Sequence, residues 1–346
     1  GESLCSGALI NNTCNLNIPY LLTANHCFDT NPQQNVANWK FTFQAWSATC
    51  TPSQNANGIT FNGSTFRARN AGSDFCLVEL NQMPPSSSGI TLAGWSRNIV
   101  GIQQTTIIHH PAGDVMKISR DDQPPVFANF GGAQTWQLTL DQGATNPGSS
   151  GGPYFDQNRR IIAQHFGTNN INANPCLNTA KFGGRFDISW TGGGTNATRL
   201  SSWLDPNNTG AMTTDTRGVG IRGPALVCSS SSATYSLVGA VSWSASPASL
   251  FTVTSGTGTT FTTAAASGVN GTGTITATTA GGCGTITLNV GVSSTLPTPT
   301  ISIISLDAPT GVVNGVSRGG TFRFQADAIS NVSSGGGFEW GIPSGW

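Results

Sequence analysis

The chain has 346 residues, no formal net charge and only 9% Asp, Glu, Lys and Arg, far below the ~25% of an average soluble domain. That balance excludes a basic nucleic-acid face, an anionic-membrane binder and long helices built on Glu, Lys, Ala and Leu, and it favours short strands joined by polar turns. No run approaches the ~18 apolar residues of a membrane span. The eight cysteines, with no C-x-x-C pair among them, point to an oxidising compartment rather than structural zinc.

The chain opens without Met at "GESLCSGALI", which reads as a strand, so a mature form or a fragment is expected. Short apolar runs then recur between turns: "PYLLTA", "WKFTFQAW", "DFCLVEL", "TTIIHH", "TWQLTL" and "RIIAQHF". Such spacing predicts an all-β, closed or stacked antiparallel fold over residues 1–210. One helix-like piece, "ATRLSSWLD", ends at Pro206. Residues 211–222 read as a linker. Residues 223–295 are rich in Ser, Thr, Gly, Ala and Val with strand alternation, and their length suits one immunoglobulin-like β-sandwich. A bridge between Cys228 and Cys283 would staple it. Residues 296–346 read as an incomplete second module ending on Trp346, which looks like a cut. Such modules are expected to space or anchor the chain, or to touch a surface or carbohydrate.

Chemistry concentrates before residue 210, where all four histidines lie. His26 follows a buried strand in "LLTANHCF", Asp74 enters one in "AGSDFCLVEL", and Ser149 and Ser150 sit in the glycine turn "NPGSSGGPYF". A serine needs a base to take its proton and an acid to orient that base. "GSSGG" also fits the nucleophile elbow of α/β-hydrolases, but that fold needs Ser, then acid, then His, on a strand-turn-helix. Here only His165 follows Ser150, and Pro153 falls where the helix would start.

"TANHC", "SDF" and "GSSGGP", in that order, resemble the trypsin/chymotrypsin-like serine peptidases. "CSGALINN", "PYLLTANHC", "SDFCLVELN", "AGWSR", "IIHHPAGDVMKIS", "PGSSGGP" and "SWTGGG…RLSSWLDP" are similar to the secreted bacterial lysyl-endopeptidase group across residues 1–210. The resemblance implies a chymotrypsin-like pair of six-stranded β-barrels, with the site in the cleft between them. It implies a secreted, monomeric endopeptidase that acts on polypeptides and needs no cofactor or metal. Ser150 would attack the scissile carbonyl, His26 would shuttle the proton, Asp74 would orient His26, and the amides of Gly148 and Ser150 would hold the oxyanion. Cys5–Cys27 would staple the strands beside His26, and the family topology brings Cys14 near Cys76. Cys50 and Cys176 resemble cysteines that pair with an N-terminal segment absent here.

Two features depart from the family. Ser149 stands where most animal trypsins carry an Asp that receives a new N-terminal amine, so that activation route is not expected. In the specificity pocket, Lys181 falls where lysine-cutting members place an Asp, Ala144 where trypsins hold their pocket acid, and Phe130 and Phe166 where lysine-specific members present Trp and His. A Lys at the pocket floor would repel a cationic side chain and attract Asp or Glu. Different loop lengths would instead turn Lys181 to solvent. Asp187 is a reserve pocket acid, more readily read as structural. His109, His110 and His165 are assigned to packing under the cleft. The alternative function is a catalytically silent protease fold serving binding or adhesion.

Overall fold

A computed structural model describes residues 4–28, 35–47, 58–169, 180–280 and 283–294, with the backbone strands 301–305 and 322–326. The chain divides into two compact units. One comprises Gly1–Arg222 with Leu237–Val241 and Ala277–Ile286; the other comprises Gly223–Ser236, Ser242–Thr276 and Thr287–Trp346.

In the first unit the leading strands are β1 (Ala8–Leu9), β2 (Tyr20–Ala24), β3 (Lys40–Phe43), β4 (Ile59–Asn62), β5 (Ser64–Asn70), β6 (Phe75–Leu80) and β7 (Thr91–Leu92). There follow β8 (Trp95–Ser96), β9 (Thr105–His109), β10 (Lys117–Asp121), β11 (Val126–Phe130), β12 (Ala133–Thr139), β13 (Pro153–Phe155), β14 (Ile161–Gly167), β15 (Ala180–Arg185), β16 (Thr213–Thr214) and β17 (Arg217–Gly218). Two short helices, α1 (Phe186–Thr191) and α2 (Ser201–Leu204), precede β16.

These strands form the expected all-β pair of systems, but the hydrogen bonding is not continuous around each. The first is a four-stranded sheet, β1-β2-β6-β5, with β3 paired to β4 and β7 paired to β17. The second runs β10-β9-β13-β14-β15-β12-β11, with β8 joining β14 to β16. Residues 211–222, expected as a linker, carry β16 and β17, and buried Arg217 donates to the Asn17 side-chain oxygen at 2.7 Å.

The unbroken apolar runs have a direct reason. Successive strand residues point to opposite faces. Leu21 and Val78 pack into a core with Leu9, Phe41 and Phe61, while their neighbours Leu22 and Leu77 pack into a second core with Trp95, Ile161, Phe186 and Trp190. β14 repeats the device, with Ile161 in the shared core and Ile162 in a third core with Ile107, Trp136, Leu138 and Tyr154. Both faces of β2, β6 and β14 are therefore buried, and each fully buried large side chain contributes roughly 1.5–3 kcal/mol. The shared core lies between the two strand systems and fixes them against each other.

The C-terminal strands are β18 (Leu226–Cys228), β19 (Ala233–Ser236), β20 (Ala240–Ser246), β21 (Ser255–Thr257), β22 (Thr260–Thr263), β23 (Asn270–Thr279), β24 (Thr285–Ser293), β25 (Ile301–Ser305) and β26 (Phe322–Ala326). Five form a sheet ordered β18-β24-β23-β20-β21; β19 pairs with β22, and β25 with β26. Trp243 stacks on Phe261 at 6.0 Å. We propose the immunoglobulin-like reading for these strands on their number, pairing and alternation alone.

The cysteines require a correction. Cys5 bridges Cys27, but Cys14 bridges Cys283, so neither Cys228–Cys283 nor Cys14–Cys76 forms. The parallel register of β18 and β24 sets Cys228 opposite Ser293, which leaves Cys283 the length of a strand away, about 30 Å at ~3.3 Å per residue. Cys76 is buried on β6, opposite Thr23 of β2. Cys50 and Cys176 lie outside the described residues.

Candidate active site

His26 sits on the single 3₁₀ turn Asn25–Cys27 that ends β2, pinned by the Cys5–Cys27 bridge. Asp74 sits at the end of another such turn, Ala71–Ser73, just before β6. Because β2 and β6 are neighbours, with Ala24 opposite Phe75, the two turns emerge side by side. The Asp74 carboxylate then takes both donors that His26 offers: Nδ1 lies 2.9 Å from Oδ2, and the backbone amide donates to Oδ1 at 3.0 Å. The Asn25 amide donates to the Asp74 carbonyl at 2.8 Å.

The Asp74 side chain is 3% exposed and that of His26 38%. Burial pushes the Asp74 carboxyl above the usual carboxylate range and outweighs the opposing hydrogen bonds and charge of His26. An imidazole held this way presents Nε2 to the open side, as a base requires.

Ser150 lies on the turn before β13. The turn is closed by Ser149 N–H donating to Asn146 O at 2.9 Å and Gly152 N–H to Ser149 O at 2.9 Å. Gly148 has φ +100° and Gly151 φ +80°, left-handed conformations that favour glycine. A Cβ on Gly151 would stand 2.4 Å from Ser6 O and 2.8 Å from Ala24 N. That closeness lets the turn press against the end of β2, two residues before His26. Ser6 N–H anchors the Ser150 carbonyl at 2.7 Å. Among the described residues, the amides of Gly148 and Ser150 have no intramolecular acceptor, and no hydrogen bond joins Ser150 Oγ to His26. Such contacts are commonly loose before substrate binds.

An aromatic wall stands beside the histidine. Phe166 on β14 stacks on His26 with centroids 5.4 Å apart, Phe130 meets Phe166 edge-on at 5.1 Å, and Phe182 stacks on Phe130 at 4.4 Å. Lys181 is fully buried on β15, opposite Leu138, and does not turn to solvent. Burial holds its ammonium below the ordinary lysine value. Gly183, two residues on and on the same face, leaves room for the Tyr154 ring, whose hydroxyl lies 2.8 Å from His165 Nδ1. His165 is pushed down to about 3, by burial first and then by His109, Lys181 and His26. Ala144 is half-buried and takes no part in this wall; its carbonyl accepts from Ser119 Oγ at 3.3 Å. Asp187 is paired with Arg185 at 3.0 and 2.5 Å, which fits its structural reading.

A cavity of about 480 Å³ is lined by Cys5 and Cys27 and, among others, by Leu4, Trp39, Phe41, His110 and Met116. Sequence reasoning did not single it out, because its walls come from separate runs that only folding joins. Among the described residues no group of three or more His, Cys, Asp or Glu could hold a metal, and no helix is long and apolar enough to cross a membrane.

Comparison with known proteins bears on the family of the chain. The family model described as lysyl endopeptidase, C-terminal domain, matches residues 1–182. A lysyl endopeptidase of Pseudomonas aeruginosa is 29% identical over 136 residues, covering 38% of this chain and 29% of that protein, so the match takes in under a third of the relative's length. Among solved structures, a Glu endopeptidase in complex with MPD overlaps with TM-score 0.35 and 19% identity, over 54% of this chain and 80% of that one. The MamO protease domain from Magnetospirillum magneticum overlaps with TM-score 0.33 and 13% identity, over 53% and 85%. The family model takes in more than half of the 346 residues, and the chain belongs to the lysyl endopeptidase C-terminal domain family.

Proposed function

We propose that the chain is a secreted serine endopeptidase working through His26, Asp74 and Ser150. The observation that carries this reading is the pair of contacts from His26 to buried Asp74, set beside a glycine turn that presents Ser150. His26 Nε2 takes the Ser150 proton as Oγ attacks the scissile carbonyl, then returns it to the leaving amine; water repeats the cycle to release the acyl group. The amides of Gly148 and Ser150 receive the oxyanion, each worth roughly 2.7–4 kcal/mol of barrier. Asp74 holds the imidazole in one tautomer and balances its charge.

The P1 residue is where this chain parts from its family's name. A lysine on the inner face of β15 disfavours a second cation in a pocket built there. We expect poor cleavage after Lys and better cleavage after acidic residues. A peptide-library profile dominated by Lys would overturn that pocket assignment. For the chemistry itself, a fluorophosphonate should label the wild type and not Ser150→Ala. An intact, folded wild type that takes no label would sink the proposal and favour a silent binding protein.

A further inference from the structure

His109 and Ser149 have no part in the triad, yet both are buried, at 1% and 0% exposure. Ser149 Oγ lies 2.8 Å from His109 Nδ1 and accepts the Asn146 amide at 3.1 Å. On the far side of the ring, His109 Nε2 lies 3.0 Å from Ser119 Oγ, and Ser119 donates to the Ala144 carbonyl at 3.3 Å.

Hydroxyl groups have one proton each, so for a neutral imidazole only one pattern satisfies every contact. Ser119 spends its proton on Ala144 and must accept from His109, which places the imidazole proton on Nε2. Nδ1 is then an acceptor, and Ser149 donates to it while accepting from Asn146. The chain reads Asn146 N–H to Ser149 O–H to His109, and His109 N–H to Ser119 O–H to Ala144 carbonyl. Both ends lie on one segment, residues 144–149, the approach to Ser150.

Other contacts brace the same segment. Ser6 Oγ donates to Gly148 O at 2.8 Å and accepts the His110 amide at 2.9 Å, and Ala112 N–H donates to Pro147 O at 2.7 Å. A Cβ on Gly143 would lie 2.5 Å from Ser119 Oγ, so glycine lets the segment settle onto β10.

We propose that neutral His109, with Ser119 and Ser149, is a clamp that sets the oxyanion turn, and that these three are positioning residues for Ser150 and Gly148. The clamp needs no buried ion pair and is complete once the chain has folded. Charged or titratable groups around the ring are His110 next in sequence, Lys117 opposite on β10 and paired with Asp114, and His165 on β14. Burial, helped by His110, pushes His109 down to about 4, so the ring is neutral at pH 6.

The catalytic consequence rests on Ser150 being the nucleophile; the clamp itself does not. In the full wild-type chain, nitrogen-15 NMR at pH 6 is expected to show His109 as the neutral Nε2–H tautomer. An Nδ1–H tautomer or an imidazolium overturns the clamp, whatever the activity. In Ser149→Ala and Ser119→Ala, kcat on a peptide substrate is expected to fall about tenfold or more with KM within about twofold, part of the ~10²–10³ that a lost oxyanion donor costs. Unchanged kcat in either folded variant overturns the positioning role. If a variant fails to fold, the wild-type tautomer decides. If the wild type takes no fluorophosphonate, the nucleophile assignment fails and the tautomer still decides the clamp.

Discussion

Asp74 adopts φ 51° and ψ 37°, a left-handed conformation that costs most side chains energy and that Asp tolerates better than most. The twist aims one carboxylate oxygen at the His26 amide and the other at its ring. Asp74→Asn keeps the shape but replaces an acceptor by a donor, so the imidazole would favour the wrong tautomer. We expect kcat to fall by about 10⁴ with fold and melting temperature nearly kept, measured by steady-state kinetics and circular dichroism. Phe166→Ala removes the ring stacked on His26. Such pairs are worth about 0.5–1.5 kcal/mol beyond buried area, so kcat/KM should fall about threefold to tenfold. His26, Asp74 and Ser150 were legible in the sequence because each carries its own short signature at a strand end. Ser149 was legible only as a neutral residue; its partner His109 lies 40 residues back, and a hydrogen bond across that distance leaves no local pattern. Lys181 was placed by likeness to a family strand, and its burial came only from the packing of β15.

At the scale of elements, β15 braces the acid from the opposite strand system. A Cβ on Gly184 would stand 1.8 Å from Ser73 O, the carbonyl just before Asp74, and Gln164 Nε2 of β14 donates to that same oxygen at 2.7 Å. No side chain larger than hydrogen fits. Gly184→Ala should displace the Ala71–Ser73 turn and cost about 1–3 kcal/mol, read as a lower urea midpoint, with activity falling more steeply than stability because Asp74 moves with the turn. In the sequence, "FGGR" shows only two adjacent glycines. Their reason, one for the Tyr154 ring and one for the Ser73 carbonyl, appears only when the strands meet. The strand runs themselves were legible because both faces of β2, β6 and β14 are buried, which writes an unbroken apolar string. β16 and β17 were not, since strands of two residues carry no period.

For the whole molecule, two buried histidines set the acid limit. His109 and His165 are held at about 4 and about 3, against an ordinary 6.5. Their folded values are depressed, so the neutral forms belong to the fold and the unfolded chain takes up the protons first. Stability from these groups is complete above the unfolded value and drains away as pH falls from 6.5 through about 4 for His109 and about 3 for His165. Each fully developed unit costs about 1.4 kcal/mol per group. Asp74, raised by burial, works in the opposite direction. Urea unfolding followed from neutral pH to pH 4.5 should show stability falling towards acid, with a slope of at most two protons that Asp74 reduces; a flat profile would contradict the burial of both rings.

The Cys14–Cys283 bridge is the feature least visible in the sequence, because its halves stand 269 residues apart. Closing so long a loop is worth about 5 kcal/mol on the chain-entropy view. It also changes what self-digestion would look like. A single nick anywhere between the bridged residues severs the backbone but frees no fragment, so a nicked preparation would run as one species on a gel until a reductant is added and the pieces part.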